Sequence, residues 1–160
     1  MGQEIKILCV DDEQNVLNSL VRLFIDSDYN ILTATSGGEG LDVLEKEEVQ
    51  IIISDYRMPV MNGAEFLKKV CERWPRTVRI VLSGYADTAS ILSSINEGHI
   101  YKFIPKPWND EELKVTIMNS AERYFLVREN EILTKELKKK NEKLETLNTE
   151  LMNLLKNLVS

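Results

Sequence analysis

The sequence has few of the residues that build metal clusters or disulfide frameworks. It contains two cysteines and one histidine among 160 residues. Cys9 and Cys71 are isolated, so we expect two reduced thiols rather than a disulfide or a metal site. His99 alone cannot form an imidazole cluster. These absences leave oxygen ligands as the remaining choice for any metal ion.

Long apolar runs and an excess of basic residues are also missing. No run of about 18 or more apolar residues occurs, so we expect no membrane span. The net charge is −6, which argues against direct nucleic-acid binding because phosphate contacts need a basic stripe. The chain enters a strand-like segment without the basic and apolar regions of a secretory signal. We therefore expect a cytoplasmic protein.

Five short apolar segments predict β-strands. They cover residues 5–10, 31–35, 50–54, 78–82 and 100–104. Continuous β-branched runs of this length are typical of strands buried on both faces of a parallel sheet. Helical patterns lie between them, and three begin with a capping-box spacing, at Ser36–Glu39, Asn62–Glu65 and Asn109–Glu112. The alternation predicts an α/β fold, a doubly wound five-stranded parallel sheet.

The composition changes after about residue 120. Leucine or a polar residue recurs at alternating spacings of four and three: Leu126, Asn130, Leu133, Leu137, Lys140, Leu144, Leu147, Leu151, Leu154 and Leu158. This spacing predicts a coiled coil that continues the last helix of the domain, and we divide the chain into residues 4–122 and 123–160. A solvated helix without a partner is the alternative. We favour a homodimer, because an isolated leucine stripe would stay exposed to water.

Unusual polar residues stand at the ends of the predicted strands. Asp11 and Asp12 follow the first, Asp55 the third, Ser83 the fourth and Lys106 the fifth. In a sheet of order 2-1-3-4-5 the first and third strands are neighbours, so their three carboxylates converge. Like charges this close repel unless a cation joins them. An all-oxygen ligand set indicates Mg²⁺, with Mn²⁺ as an alternative.

Such a pocket can transfer a phosphoryl group. Asp55 is the candidate nucleophile, because it stands alone at a central strand end facing the acidic pair. Asp12 is expected to bind the metal directly, Asp11 through a water, and the backbone carbonyl of Arg57 is expected to add a ligand. Two further residues, Lys106 and Ser83, supply a positive charge and a hydrogen bond for phosphoryl oxygens.

Taken together, these motifs resemble the receiver domain of two-component response regulators, which has a flavodoxin-like fold. The resemblance covers about residues 4–120 and rests on Asp11-Asp12, the segment 55–63, Ser83-Gly84 and Lys106-Pro107. It implies that a sensor histidine kinase or phosphotransfer protein donates the phosphoryl group, and that the receiver catalyses only its own phosphorylation and dephosphorylation. It also implies that the Lys106–Pro107 peptide bond is cis. The residues that change position on phosphorylation would be Ser83 and Phe103, and the family frequently has tyrosine at the position of Phe103.

Two other functions fit parts of the pattern. Haloacid-dehalogenase-like phosphatases also use an aspartyl phosphate, but they need a second acid two residues later, where this chain has Arg57. A structural adaptor with a vestigial pocket would not need all five polar residues. The coil pattern is interrupted at Ser160, so we expect the front part of a longer regulator that passes its signal to an output domain, with the coil itself as the alternative output.

Overall fold

A computed structural model describes residues 4–159 of the chain, apart from the side chain of Tyr85. The strands are Lys6–Val10 (β1), Asn30–Ala34 (β2), Ile51–Asp55 (β3), Val78–Ser83 (β4) and Lys102–Pro105 (β5). The helices are Gln14–Leu23 (α1), Gly37–Lys46 (α2), Gly63–Arg73 (α3), Thr88–Asn96 (α4) and Asp110–Val159 (α5), with a short 3₁₀ turn at Tyr85–Asp87 before α4. The predicted alternation of strands and helices is confirmed.

The five strands form one parallel sheet in the order β2-β1-β3-β4-β5. The predicted doubly wound, flavodoxin-like fold is therefore confirmed. β5 begins two residues later than predicted, because Ile100 and Tyr101 lead into the strand before its ladder starts at Lys102. Since all strands run the same way, their carboxyl ends lie along one edge of the sheet.

The central strands lie in the core along their whole length. Every residue of β3 and β4 is buried. Apolar side chains of the helices pack against the sheet, with Phe66, Leu67 and Val70 of α3 fully buried. Burying each such side chain stabilises the fold by about 1.5–3 kcal/mol. This packing keeps the strands, and therefore their ends, in place.

Three helices begin with the predicted capping pairs. A side-chain oxygen accepts a hydrogen bond from the backbone N–H three residues later, at 3.1 Å for Ser36–Glu39, 2.9 Å for Asn62–Glu65 and 3.1 Å for Asn109–Glu112. Each bond satisfies one of the unpaired donors of the first helical turn and stabilises the helix by about 1 kcal/mol. The Asn62 cap also determines where α3 begins behind the strand-end loop.

A buried arginine binds the loops at the amino-terminal ends of the strands, opposite the carboxyl ends. Arg79, near the start of β4, is 9% exposed. Its guanidinium donates to four backbone carbonyls: from Nε to His99 at 2.8 Å, from Nη1 to Thr77 at 2.7 Å and Pro75 at 3.1 Å, and from Nη2 to Gly98 at 3.1 Å. Burial lowers the pKa of Arg79. The side chain therefore ties the loop before β4 to the loop before β5.

We expect Arg79→Met to lower the free energy of unfolding by about 2–4 kcal/mol, because it removes four hydrogen bonds from a buried side chain and leaves partly buried carbonyls without donors. Urea denaturation measures the change. Arg22→Met on the exposed face of α1 removes the same charge and serves as the control. Equal stabilities of the two variants would contradict a clamping role for Arg79.

Two compact units divide the chain after Tyr124. The buried residues of α5 all belong to the first unit and end at Tyr124. In the second unit the leucines of the predicted seam are exposed, with values from 54% at Leu133 to 81% at Leu158. The boundary predicted at residue 122 stays a prediction. No helix within residues 4–159 has the length and apolar character that spanning a bilayer requires.

Candidate functional site

Three carboxylates meet at the carboxyl edge of the sheet. Asp11 directly follows β1, and Asp55 is the last residue of β3, the strand paired with β1. One carboxylate oxygen each from Asp11, Asp12 and Asp55 lie within 4.8 Å of one another. Asp11 is 1% exposed and Asp55 7% exposed, whereas Asp12 is open to solvent. The sequence predicted this convergence from strand order alone.

Lys106 joins the two buried carboxylates. Its Nζ lies 3.0 Å from Asp11 Oδ2 and 2.9 Å from Asp55 Oδ1. The backbone N–H of Lys106 donates to the Ser83 carbonyl at 2.9 Å, which continues the pairing of β4 with β5 beyond the strand end. The Lys106–Pro107 peptide bond is cis, as the family resemblance implied. The ammonium is thus held directly beside the candidate nucleophile.

The charges of this cluster perturb one another. Burial is the main cause that raises the pKa of Asp55, and the charge of Asp11 adds to it, while the hydrogen bond from Lys106 opposes both. For Lys106, burial acts to lower the pKa, but hydrogen bonds to Asp55 and Asp11 outweigh it, so the pKa is raised. Three carboxylates face one ammonium, and the cluster keeps an excess of negative charge.

This donor set fits a hard divalent cation. The converging ligand atoms are all carboxylate oxygens, and the excess negative charge favours a cation at the same place. Asp11 also orients the entry to α1, because its Oδ1 accepts a hydrogen bond from the Glu13 N–H at 2.9 Å. The Arg57 carbonyl as a further ligand remains a prediction.

The loop after β3 folds back tightly over the strand end. The Gly63 N–H donates to the Tyr56 carbonyl at 2.7 Å. A Cβ added at Gly63 would lie 2.3 Å from the Asp55 carbonyl oxygen, a separation that no side chain can accept. Val60, in the same loop, has φ 69°, a strained value for a β-branched residue. Sequence reasoning assigned Gly63 no separate role, although a glycine directly after a capping asparagine was a possible signal.

Ser83 and Arg57 both contact a residue that sequence reasoning missed. Ser83 is 3% exposed, and its Oγ lies 3.1 Å from the Gly84 carbonyl and 3.3 Å from Asp87 Oδ2. The Arg57 guanidinium binds Asp87 at two points, with Nε 2.8 Å from Oδ2 and Nη2 3.1 Å from Oδ1. The hydrogen bond from Arg57 is the main cause that lowers the pKa of Asp87. An acid four residues after Ser83 was the available signal.

Phe103 lies in β5, half-buried, and packs against the core cluster between the sheet and its helices. It is separated along its strand from Lys106 by two residues. Its role in switching stays a prediction.

Comparison with known proteins identifies the same part of the chain. Residues 7–118 match the family model described as response regulator receiver domain. The hydrogenase transcriptional regulatory protein HoxA of Cupriavidus necator is 42% identical over 116 residues, which are 72% of this chain and 24% of that protein. The chain thus spans about a quarter of the length of the curated relatives it matches.

Solved structures show the same fold. The signal receiver domain of an HD domain-containing protein from Pseudomonas fluorescens has a TM-score of 0.77 and 32% identity, covering 81% of this chain and 95% of that one. The chemotaxis response regulator CheY4 of Vibrio cholerae has a TM-score of 0.66 and 28% identity, covering 74% and 99%.

Proposed function

The chain belongs to the response regulator receiver family, and we propose that Asp55 is its phosphoacceptor. A receiver is the regulatory phosphoacceptor of two-component signalling. The observation that carries the assignment to Asp55 is the bridge from Lys106 to Asp55 and Asp11, at 2.9 and 3.0 Å, inside a cluster of three carboxylates. No other residue of this cluster both ends a buried central strand and lies against the ammonium.

The phosphodonor in this proposal is a phosphohistidine of a sensor kinase or phosphotransfer protein. A carboxylate oxygen of Asp55 forms a bond to phosphorus while the phosphorus–nitrogen bond breaks, and the leaving imidazole keeps the electron pair and takes up a proton. Lys106 stays beside Asp55 and pairs with a phosphoryl oxygen. The Ser83 hydroxyl donates a hydrogen bond to a second phosphoryl oxygen. In-line transfer of this kind depends mainly on positioning and charge neutralisation.

Asp11, Asp12, Asp55 and the Arg57 carbonyl would hold Mg²⁺, or Mn²⁺ in its place, and the ion would neutralise charge on the transferred group. Catalysis by these residues is limited to phosphorylation and dephosphorylation of this same domain. A phosphatase acting on other substrates is disfavoured because the position two residues after Asp55 carries Arg57, whose side chain is bound to Asp87. That side chain cannot act as a general acid for a leaving group.

We propose that the signal leaves the receiver through α5. Phosphorylation would move Ser83 toward the phosphoryl group and change the packing of Phe103, which lies on the strand that precedes α5. The exposed leucine seam of the second unit would then pair with the same seam of a second copy, as a homodimer, and lead toward an output module. We assign this activity to the cytoplasm, where ATP maintains the phosphohistidine of the donor.

Incubation of the full chain with acetyl phosphate and Mg²⁺ is expected to add one phosphoryl group. Mass spectrometry of the intact protein measures the addition, and borohydride reduction followed by peptide analysis locates it at Asp55. A chelator should prevent the reaction, because the transition state needs the divalent charge. Labelling at another residue, or equal labelling with chelator, would contradict the proposal.

A further inference from the structure

The hydroxyl of Ser83 has one proton and two acceptors near it. One is the carbonyl of Gly84 at 3.1 Å, and the other, which carries a charge, is Asp87 Oδ2 at 3.3 Å. A hydroxyl can donate only one hydrogen bond at a time. If Ser83 donates to a phosphoryl oxygen on Asp55, it must give up both of these acceptors. The Asp87 carboxylate therefore competes with the phosphoryl group for the same proton.

Asp87 is held in this competing position. The Arg57 guanidinium binds both carboxylate oxygens of Asp87, in a two-point geometry that restrains the plane of the carboxylate. The Asp87 side chain is 16% exposed, whereas that of Arg57 is 71% exposed, so the arginine lies between the aspartate and solvent. The carboxylate stays ionised beside this cation and can only accept hydrogen bonds.

The location of Asp87 in the chain makes this arrangement unusual. Asp87 is the N-cap residue of α4, a position where aspartate commonly accepts a hydrogen bond from the first helical turn. Its side chain makes no such bond here. The carboxylate binds Arg57 and Ser83 instead, so α4 begins without the stabilisation that a side-chain cap would give it.

We propose that Asp87 is a positioning residue that holds the Ser83 hydroxyl away from the phosphoryl site and so favours the unphosphorylated state of the receiver. This inference rests on the proposed role of Asp55. Arg57, two residues after Asp55, anchors Asp87 to the loop that borders the site. Phosphorylation moves Ser83 from Asp87 to the phosphoryl oxygen, and the strength of the Asp87 contact sets how readily that exchange occurs.

Titration of the full chain with beryllofluoride and Mg²⁺ tests the proposal, since this complex mimics a phosphoryl group on aspartate. Asp87→Ala is expected to bind beryllofluoride roughly three- to tenfold more tightly than the wild type, because Ser83 no longer has to leave a charged acceptor. Asp42→Ala, on the exposed face of α2, is the matched control and should bind as the wild type does. Equal or weaker binding by Asp87→Ala would overturn the proposal.

The Ser83→Ala background separates positioning from general loosening of the fold. In that background, Asp87→Ala should leave the affinity for beryllofluoride unchanged, because there is no Ser83 hydroxyl for which Asp87 and the ligand could compete. A persistent effect would show that Asp87 does not act through Ser83. Should Asp87→Ala not fold, Asp87→Asn supplies a milder version of the same test, with a smaller gain expected. If the wild-type chain does not bind beryllofluoride at all, the proposed role of Asp55 is refuted instead.

Discussion

Asp55→Asn is expected to abolish phosphorylation by acetyl phosphate and Mg²⁺, with incorporation lowered at least roughly a hundredfold. The amide has nearly the shape of the carboxylate but is not a nucleophile toward phosphorus. The other acids cannot replace it: Asp11 is buried with Lys106 on one oxygen and the Glu13 N–H on the other, and Asp12 faces solvent. Intact-protein mass spectrometry over a time course measures the loss.

Two comparisons make this result specific. Asp42→Asn removes the same charge from an exposed helix and should be phosphorylated at the wild-type rate. Asp12→Asn removes a proposed metal ligand, so its phosphorylation should recover as Mg²⁺ is raised, whereas Asp55→Asn should stay inactive at every Mg²⁺ concentration. Phosphorylation retained in a folded Asp55→Asn chain would mean that another residue is the acceptor.

The double substitution Leu144→Glu with Leu151→Glu is expected to convert a dimer into a monomer. These leucines lie seven residues apart on the predicted seam, and they are 57% and 55% exposed in the single chain. Burial of each against a second copy would contribute about 1.5–3 kcal/mol per side chain, which the substitution removes from both chains. Two glutamates per helix would also bring like charges together across the seam. Sedimentation velocity at a fixed protein concentration measures the mass.

Thr146→Glu with Thr149→Glu is the matched control for the seam. Both threonines are exposed, and their hydroxyls donate to carbonyls four residues earlier in the same helix. Their spacing places them away from the leucine seam, so the same added charge should leave the dimer intact. A wild-type chain that sediments as a monomer at high concentration, or equal masses for the two variants, would contradict the homodimer.

The strand ends were predictable because their signals are local. Four of the strands, β1, β3, β4 and β5, are short, mostly apolar runs that end at or just before a polar residue of the site, as in Ser54-Asp55 or Ile104–Lys106. In a parallel sheet the carboxyl ends share one edge, so the meeting of Asp11, Asp12 and Asp55 followed from strand order. The capping asparagines were predictable for the same reason, since each contacts a residue only three positions away.

The long-range contacts were not predictable in this way. Arg57 and Asp87 lie 30 residues apart, and nothing in either segment indicates that the guanidinium and the carboxylate meet. Arg79 is similar: an arginine inside an apolar strand could have faced solvent, and only the positions of two loops show that its donors reach backbone carbonyls of both. Such pairings depend on the relative placement of loops.

The sequence by itself thus determined the fold class, the order of elements and the acidic cluster with its lysine, because periodicity and strand ends are read from neighbouring residues. The tertiary structure decided what surrounds Asp55. It placed Gly63 against the Asp55 carbonyl and gave Ser83 a competing carboxylate in Asp87. These contacts depend on distances of a few ångströms between segments that are far apart in the sequence, and only the packing of helices and loops against the sheet fixes those distances.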